Sequence, residues 1–264
     1  MNNERINESM KKHVSNYLSK GIKYDGRKLT QYRDIKIEVG VSGSAEGSAR
    51  VMIGNTEVIA GVKMAIEKPY PDTPDEGMLM VNVELLPMSS PDFESGPPDI
   101  RSIELARVID RGIRESKTID NKKLCIESGE KVWSVMIDIC TINDEGNLID
   151  CAGLAAIAAI LDARFPKVED GKIDYKTKTD QKIPLSKVPI PITVLKIDKY
   201  ILIDPIIDEE KIADARLTVT STEEGLICAL QKGGNDTLLD TDVKEMVELA
   251  LEKSKELRTH LKGE

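Results

Sequence analysis

Twice along this chain a series of short strand-like runs gives way to a helix, and that order restricts the fold more than any other feature. From Ile35 the apolar residues alternate with period two through IKIEV, SARVMI and TEVIAGVKM, and Gly54-Asn55 marks a tight hairpin between the last two. MLMVNVELLP adds another apolar run. The loop SSPDFESGPPD then leads into RSIELARVIDRGIRES, residues 101–116, which reads as a helix capped by Asp99. LCIE and VWSVMIDICTI read as strands. The polar turn NDEGN and the Ala-rich helical run IDCAGLAAIAAILDA follow. The second half repeats the order with ITVLKI, YILIDP, LTVTST and GLICALQ, then an amphipathic helix from about Asp240 to His260. The expected fold is α+β: two related strand-then-helix units packed together, with an N-terminal helix. That helix, residues 1–22, repeats Ile6, Met10, Val14 and Leu18 every four residues. The first unit spans 23–165 and the second 190–264. Residues 166–189, polar and Lys-rich, read as a linker or surface excursion.

Composition limits what these units do. Aromatics make up 3% of the 264 residues, so the core is built from Ile, Val, Leu, Ala and Met, and few rings are free to stack bases. A net charge of −9 argues against a general nucleic-acid coat protein. Any such contact must come from a small basic patch or from a surface shared with a more basic partner. Cys125, Cys140, Cys151 and Cys228 form no CxxC pair, and three of them lie in apolar runs. They read as buried free thiols in a reducing compartment. His13 and His260, near the two ends, leave almost no material for zinc ligation or a Ser-His-Asp triad. No run approaches 18 apolar residues and the polar N-terminus lacks a signal-peptide core, so a cytoplasmic protein with no membrane partner is expected.

The helix at 101–116 carries Arg107, Arg111 and Arg114 at i, i+4 and i+7, a spacing at which like charges repel. Ile103, Ala106, Ile109 and Ile113 mark its expected buried side. Glu104, Asp110 and Glu115 are near enough to pair with the arginines locally. The alternative is an anion site, because a row of planar guanidinium forks suits phosphate oxygens. The spacing does not choose between them. A second cluster, Asp204, Asp208, Glu209, Glu210 and Asp214, reads as a solvated acidic turn with Asp208 capping a short helix, or as a Mg²⁺ site. A third candidate is the strand–turn–helix junction NDEGNLIDC, residues 143–151, where backbone N–H groups could meet a phosphate. It holds Asp144, Glu145 and Asp150, apolar Leu148 and Ile149, and no Arg, Lys, Ser or Thr, so it repels anions.

YDGRK, GSAEGSARVMIGNTEVIAGVK, SPDFESGPPD running into IELARVIDRGIRES, and DPIIDEEKIADARLTV together resemble the RNase PH superfamily. The resemblance is strongest to the non-catalytic RNase PH-like ring subunit of the archaeal exosome, and runs from about residue 22 to 256. It implies an RNase PH-like fold and a ring of three heterodimers with a catalytic RNase PH-like sister subunit. The sister degrades single-stranded RNA from the 3′ end with inorganic phosphate, and S1/KH-type RNA-binding cap subunits complete the complex. For this chain it implies no catalytic residue and no cofactor, with Arg107, Arg111 and Arg114 helping to hold RNA for the sister. Active members carry a Gly-[Ser/Thr]-Arg phosphate-binding turn at the start of the second helix, where this sequence reads GNLID. They also carry two aspartates six residues apart. Asp208 and Asp214 keep that spacing, as an inherited structural feature or with residual Mg²⁺ binding. Two rivals stand beside this reading: an autonomous phosphorolytic 3′-to-5′ exoribonuclease, and a purely architectural protein.

Overall fold

The computed structural model describes residues 2–169 and 172–261, with the side chains of residues 2–7 and 176 left aside. Helix α1 (Asn2–Leu18) leads into β1 (Ile35–Val39), β2 (Gly47–Ile53), β3 (Thr56–Glu67) and β4 (Met78–Glu84). Helix α2 (Ile100–Glu115), a 3-10 turn at Asn121–Leu124, β5 (Cys125–Glu127), β6 (Lys131–Asn143) and α3 (Leu148–Asp162) follow. The period-two segments form one sheet in the order β1-β2-β3-β6-β4, with β5 on β6; β4 runs parallel to β6. Beyond α3 come β7 (Arg164–Glu169), β8 (Lys172–Lys182), β9 (Ile190–Ile197), β10 (Tyr200–Ile203), α4 (Ile207–Lys211), β11 (Ala215–Ser221), β12 (Ile227–Gly233) and α5 (Asp240–His260). The second sheet has the order β10-β9-β11-β12, all antiparallel. This is the α+β arrangement of two strand-then-helix units that the sequence leads one to expect.

Helix α3 is the keystone. Every residue from Asp150 to Ile160 is buried, because the first sheet lies on one side and β9 on the other. Two glycines permit that approach: a side chain at Gly47 would strike the backbone of Ala159 in α3 and of Ala163 at its end, and one at Gly153 would strike Pro191. A single apolar cluster therefore runs through both units, from Val51 and Ile137 to Ile192 and Met246. Helix α1 docks separately. Val14 and Leu18 pack with Leu195, Ile197, Leu202 and Ile212, and Met10 adds to them; the Ile6 side chain lies outside the described residues.

Two expectations need correcting, and a third gains detail. Residues 166–189, read as a linker or surface excursion, hold most of an antiparallel hairpin formed by β7 and β8. Ile173, Tyr175, Thr177 and Thr179 alternate with polar neighbours there, a strand period masked by the Lys-rich composition. All four cysteines are free thiols, yet only Cys151 is buried; Cys125, Cys140 and Cys228 are half-buried. The buried line of α2 runs through Leu105, Val108, Ile109, Gly112 and Ile113, while Ile103 stays 46% exposed. Gly112 sets that rotation, since it lies against Thr220 of β11 with no room for a larger side chain to pass unchanged.

Candidate nucleic-acid interface

Helix α2 begins where Asp99 accepts a hydrogen bond from the Ser102 N–H at 2.8 Å, which fixes the register of everything beyond it. Arg107, Arg111 and Arg114 all emerge on its exposed face. Together with Met80 and Asn82 of β4 they line a groove between helix and strand. Their surroundings differ. The Arg114 Nη2 donates to Asp110 Oδ1 at 2.6 Å and to the Leu79 carbonyl at 3.2 Å, and the Asp110 bond raises the guanidinium above its ordinary value. The Arg111 Nη1 donates to Gln231 Oε1 at 3.3 Å. Arg107 has no hydrogen bond or ion pair among the described residues. Of the three local acids, only Asp110 pairs with the stripe; Glu104 turns away to Arg216 at 2.5 Å. An exposed pair such as Asp110–Arg114 contributes about 0.3–0.5 kcal/mol, so an arriving phosphate can displace it.

The junction at 143–151 behaves differently. Gly146 and Asn147 both have positive φ, at 89° and 61°, and together they aim the chain into α3. Backbone N–H groups at the head of this junction are already taken: Gly146 N–H donates to Asp144 Oδ1 at 3.0 Å and Asn147 N–H to Glu210 Oε1 at 2.8 Å. The Glu145 N–H goes to Thr56 Oγ1 at 3.2 Å. Two of the chain's own carboxylates thus stand where an anion would need to bind.

Behind the turn is a charged network that sequence reading missed. Asp204, fully buried, receives Arg27 Nη1 at 2.7 Å, Arg33 Nη2 at 2.7 Å and Asn147 Nδ2 at 3.0 Å. Burial alone would raise its pKa, but the Arg33 guanidinium holds it below the usual carboxylate range. Arg33 also donates to the Glu145 and Gly146 carbonyls at 2.8 and 3.0 Å, locking the junction from below. Lys23, with no exposed surface, donates to the Ile203 and Asp204 carbonyls at 2.8 Å; burial lowers its pKa to about 8. The signal in the sequence was the Asp closing the apolar strand YILID, since a carboxylate carried into a core needs a cation.

Four of the five acids read as one cluster have separate partners. Glu209 caps the Tyr24 and Ile206 N–H groups at 3.0 and 3.2 Å, the role expected of Asp208. Asp214 pairs with Lys11 of α1 and accepts the Asp198 N–H at 2.6 Å. Asp208 sits in the first turn of α4. No group of three or more His, Cys, Asp or Glu among the described residues is placed to hold a metal ion.

Asp150, wholly buried at the start of α3, accepts from the Thr193 N–H at 2.7 Å, the Tyr32 hydroxyl at 2.7 Å and Asn147 Nδ2 at 3.2 Å. Burial outweighs these bonds and pushes its pKa up to about 7. The folded state therefore holds this proton more tightly than the unfolded chain. Its contribution is complete below the unfolded carboxylate pKa near 4, and is lost as pH rises toward 7. Urea titrations of wild type and Asp150→Asn across that range should show wild type losing stability relative to the variant from pH 4 to 7, with no further change above. A constant difference would mean that Asp150 is ionised throughout.

Two family models cover most of the chain. The 3′ exoribonuclease family, domain 1, matches residues 31–166, and domain 2 of the same family matches residues 187–253. The chain belongs to the 3′ exoribonuclease family. The exosome complex component Rrp42 of Methanothermobacter thermautotrophicus is 47% identical over 97% of this chain and 95% of its own length. The Archaeoglobus fulgidus exosome with RNA bound to the active site contains a chain 40% identical, with a TM-score of 0.87, covering 96% of this chain and 98% of that one. An archaeal exosome core contains another at 37% identity and a TM-score of 0.87, covering 99% and 100%. The two 3′ exoribonuclease domain matches leave most of the β7–β8 hairpin between them. No helix among the described residues is long and apolar enough to cross a membrane.

Proposed function

We propose that this chain is a non-catalytic ring subunit of an archaeal-type exosome, the RNA-degrading complex to which its relatives' names refer. It alternates with a catalytic RNase PH-like sister, carries S1/KH-type cap subunits, and lends Arg107, Arg111 and Arg114 to the single-stranded RNA that the sister degrades. The family resemblance supports the assembly. The inactivity rests on one observation: at the opening of α3, Asp144 and Glu210 occupy the N–H groups of Gly146 and Asn147. An active member needs a basic phosphate-binding turn there, and losing one such preorganised donor costs about 10²–10³ in rate. The outward stripe on α2 supports the RNA role. Arg107 has no partner among the described residues to give up, and all three guanidinium groups stay exposed on a −9 chain, Arg114 alone pairing with a carboxylate.

Co-expression with a catalytic sister tests the assembly. The two chains should elute together at the size of about six subunits, as closed rings of alternating chains do. A monomer that ignores the sister on the sizing column would overturn the proposal.

A further inference from the structure

The arginine groove does not end at α2. Its wall residue Met80 is the ladder partner of Met136 on β6, and Met136 is in turn the partner of Lys63 on β3. Ladder partners share a face, so Met80, Met136 and Lys63 stand in one row across three adjacent strands. The row lies on the side of the sheet turned away from α3, where β3 alternates half-exposed Ile59, Gly61 and Lys63 with buried Val58, Ala60, Val62 and Met64. At its far end the β7–β8 hairpin brings in Tyr175, 50% exposed, with the Lys63 ammonium 4.7 Å from its ring centroid. Lys63, Met136 and Tyr175 border one depression there, and Met80, Arg107 and Arg111 border the next.

Taking the arginine stripe as the RNA contact proposed above, we infer that the same RNA strand continues across this sheet face to Tyr175, its bases resting on Met80 and Met136. Strands lie about 4.8 Å apart, so Met80 and Lys63 are separated by about 10 Å. About three nucleotides at a stacked rise of 3.4 Å cover that distance. Charge decides which side of the RNA faces down. Asp138 lies two residues along β6 from Met136, close enough for its carboxylate to accept from Asn82 Nδ2 at 3.2 Å. Lys63 is itself balanced by Glu46 at 2.9 Å. This row repels a phosphate backbone but offers polarisable thioethers and an aromatic ring to base faces. Lys63 steadies one side of the Tyr175 ring and leaves the rest of it for a base.

The test uses the ring assembled with its catalytic sister and oligoadenylates of increasing length, read by fluorescence anisotropy. Wild type should gain affinity in a step at the length that reaches Tyr175. Tyr175→Leu should remove that step, weakening long strands by about five- to tenfold and short ones not at all. Its salt dependence and melting temperature should stay unchanged, and Tyr175→Phe should keep the step. Arg107→Glu, by contrast, should weaken every length. If Tyr175→Leu binds as wild type at all lengths while Arg107→Glu is impaired, the crossing is wrong and the arginine contact stands. If Arg107→Glu is also silent, the arginine contact itself has failed and the crossing falls with it.

Discussion

Changing Arg107 to Glu should lower the RNA affinity of the assembled ring by about a hundredfold while leaving assembly intact. Each lost Arg–phosphate contact removes a charge-assisted hydrogen bond contributing about 1.5–3 kcal/mol, and the reversed charge adds repulsion. The three arginines should not be equal. Arg107 begins without a partner among the described residues, so its full contribution is available to RNA. Arg111 must first release Gln231, a long and exposed contact. Arg114 must share or leave Asp110, and so gains least on binding. The expected order of loss is Arg107 and Arg111 ahead of Arg114, each flattening the salt dependence by about 0.7 per contact on single strands. A purely architectural role reverses the order. Arg114→Glu would then cost a few tenths of a kcal/mol in stability by placing two acids at i and i+4, and neither it nor Arg107→Glu would change RNA affinity. Affinities of the three variants at several salt concentrations distinguish the two patterns.

The difference among those arginines could not be read from their spacing. Periodicity placed α2, its Asp99 cap and its arginines on an outward face. It misassigned Ile103 because the helix rotation is set by Gly112 meeting Thr220, a contact between residues far apart in the chain. The charged network behind α3 was hidden for the same reason. Arg27 and Arg33 reach Asp204 across gaps of 177 and 171 residues, and nothing local in YDGRK or YILIDP reveals their meeting. The hairpin at 164–182 was lost differently. Its alternation of Ile, Tyr and Thr with charged residues is a strand signal, but lysine-rich composition reads first as solvated chain. The junction at 143–151 was the easiest part of the candidate site to read, because its acidic residues and its lack of Arg, Lys, Ser or Thr stand in the sequence itself. The structure adds that Glu210, 63 residues downstream, supplies one of the carboxylates that close it.

That closure makes the inactivity of this subunit an experimental question with a sharp answer. An active site needs a phosphate held by preorganised donors, and the donors at Gly146 and Asn147 already serve Asp144 and Glu210. Admitting phosphate would mean breaking both bonds and placing an anion against two carboxylates. Without that contact the rate should fall by orders of magnitude, below detection for an isolated subunit. The measurement is nucleoside diphosphate release from poly(A) in the presence of inorganic phosphate and Mg²⁺. The chain purified free of its sister should release no more than buffer, and the same chain assembled with the catalytic sister should release product steadily. Sustained turnover by the isolated chain would show that the α3 junction binds phosphate after all, and the subunit would then be an enzyme in its own right.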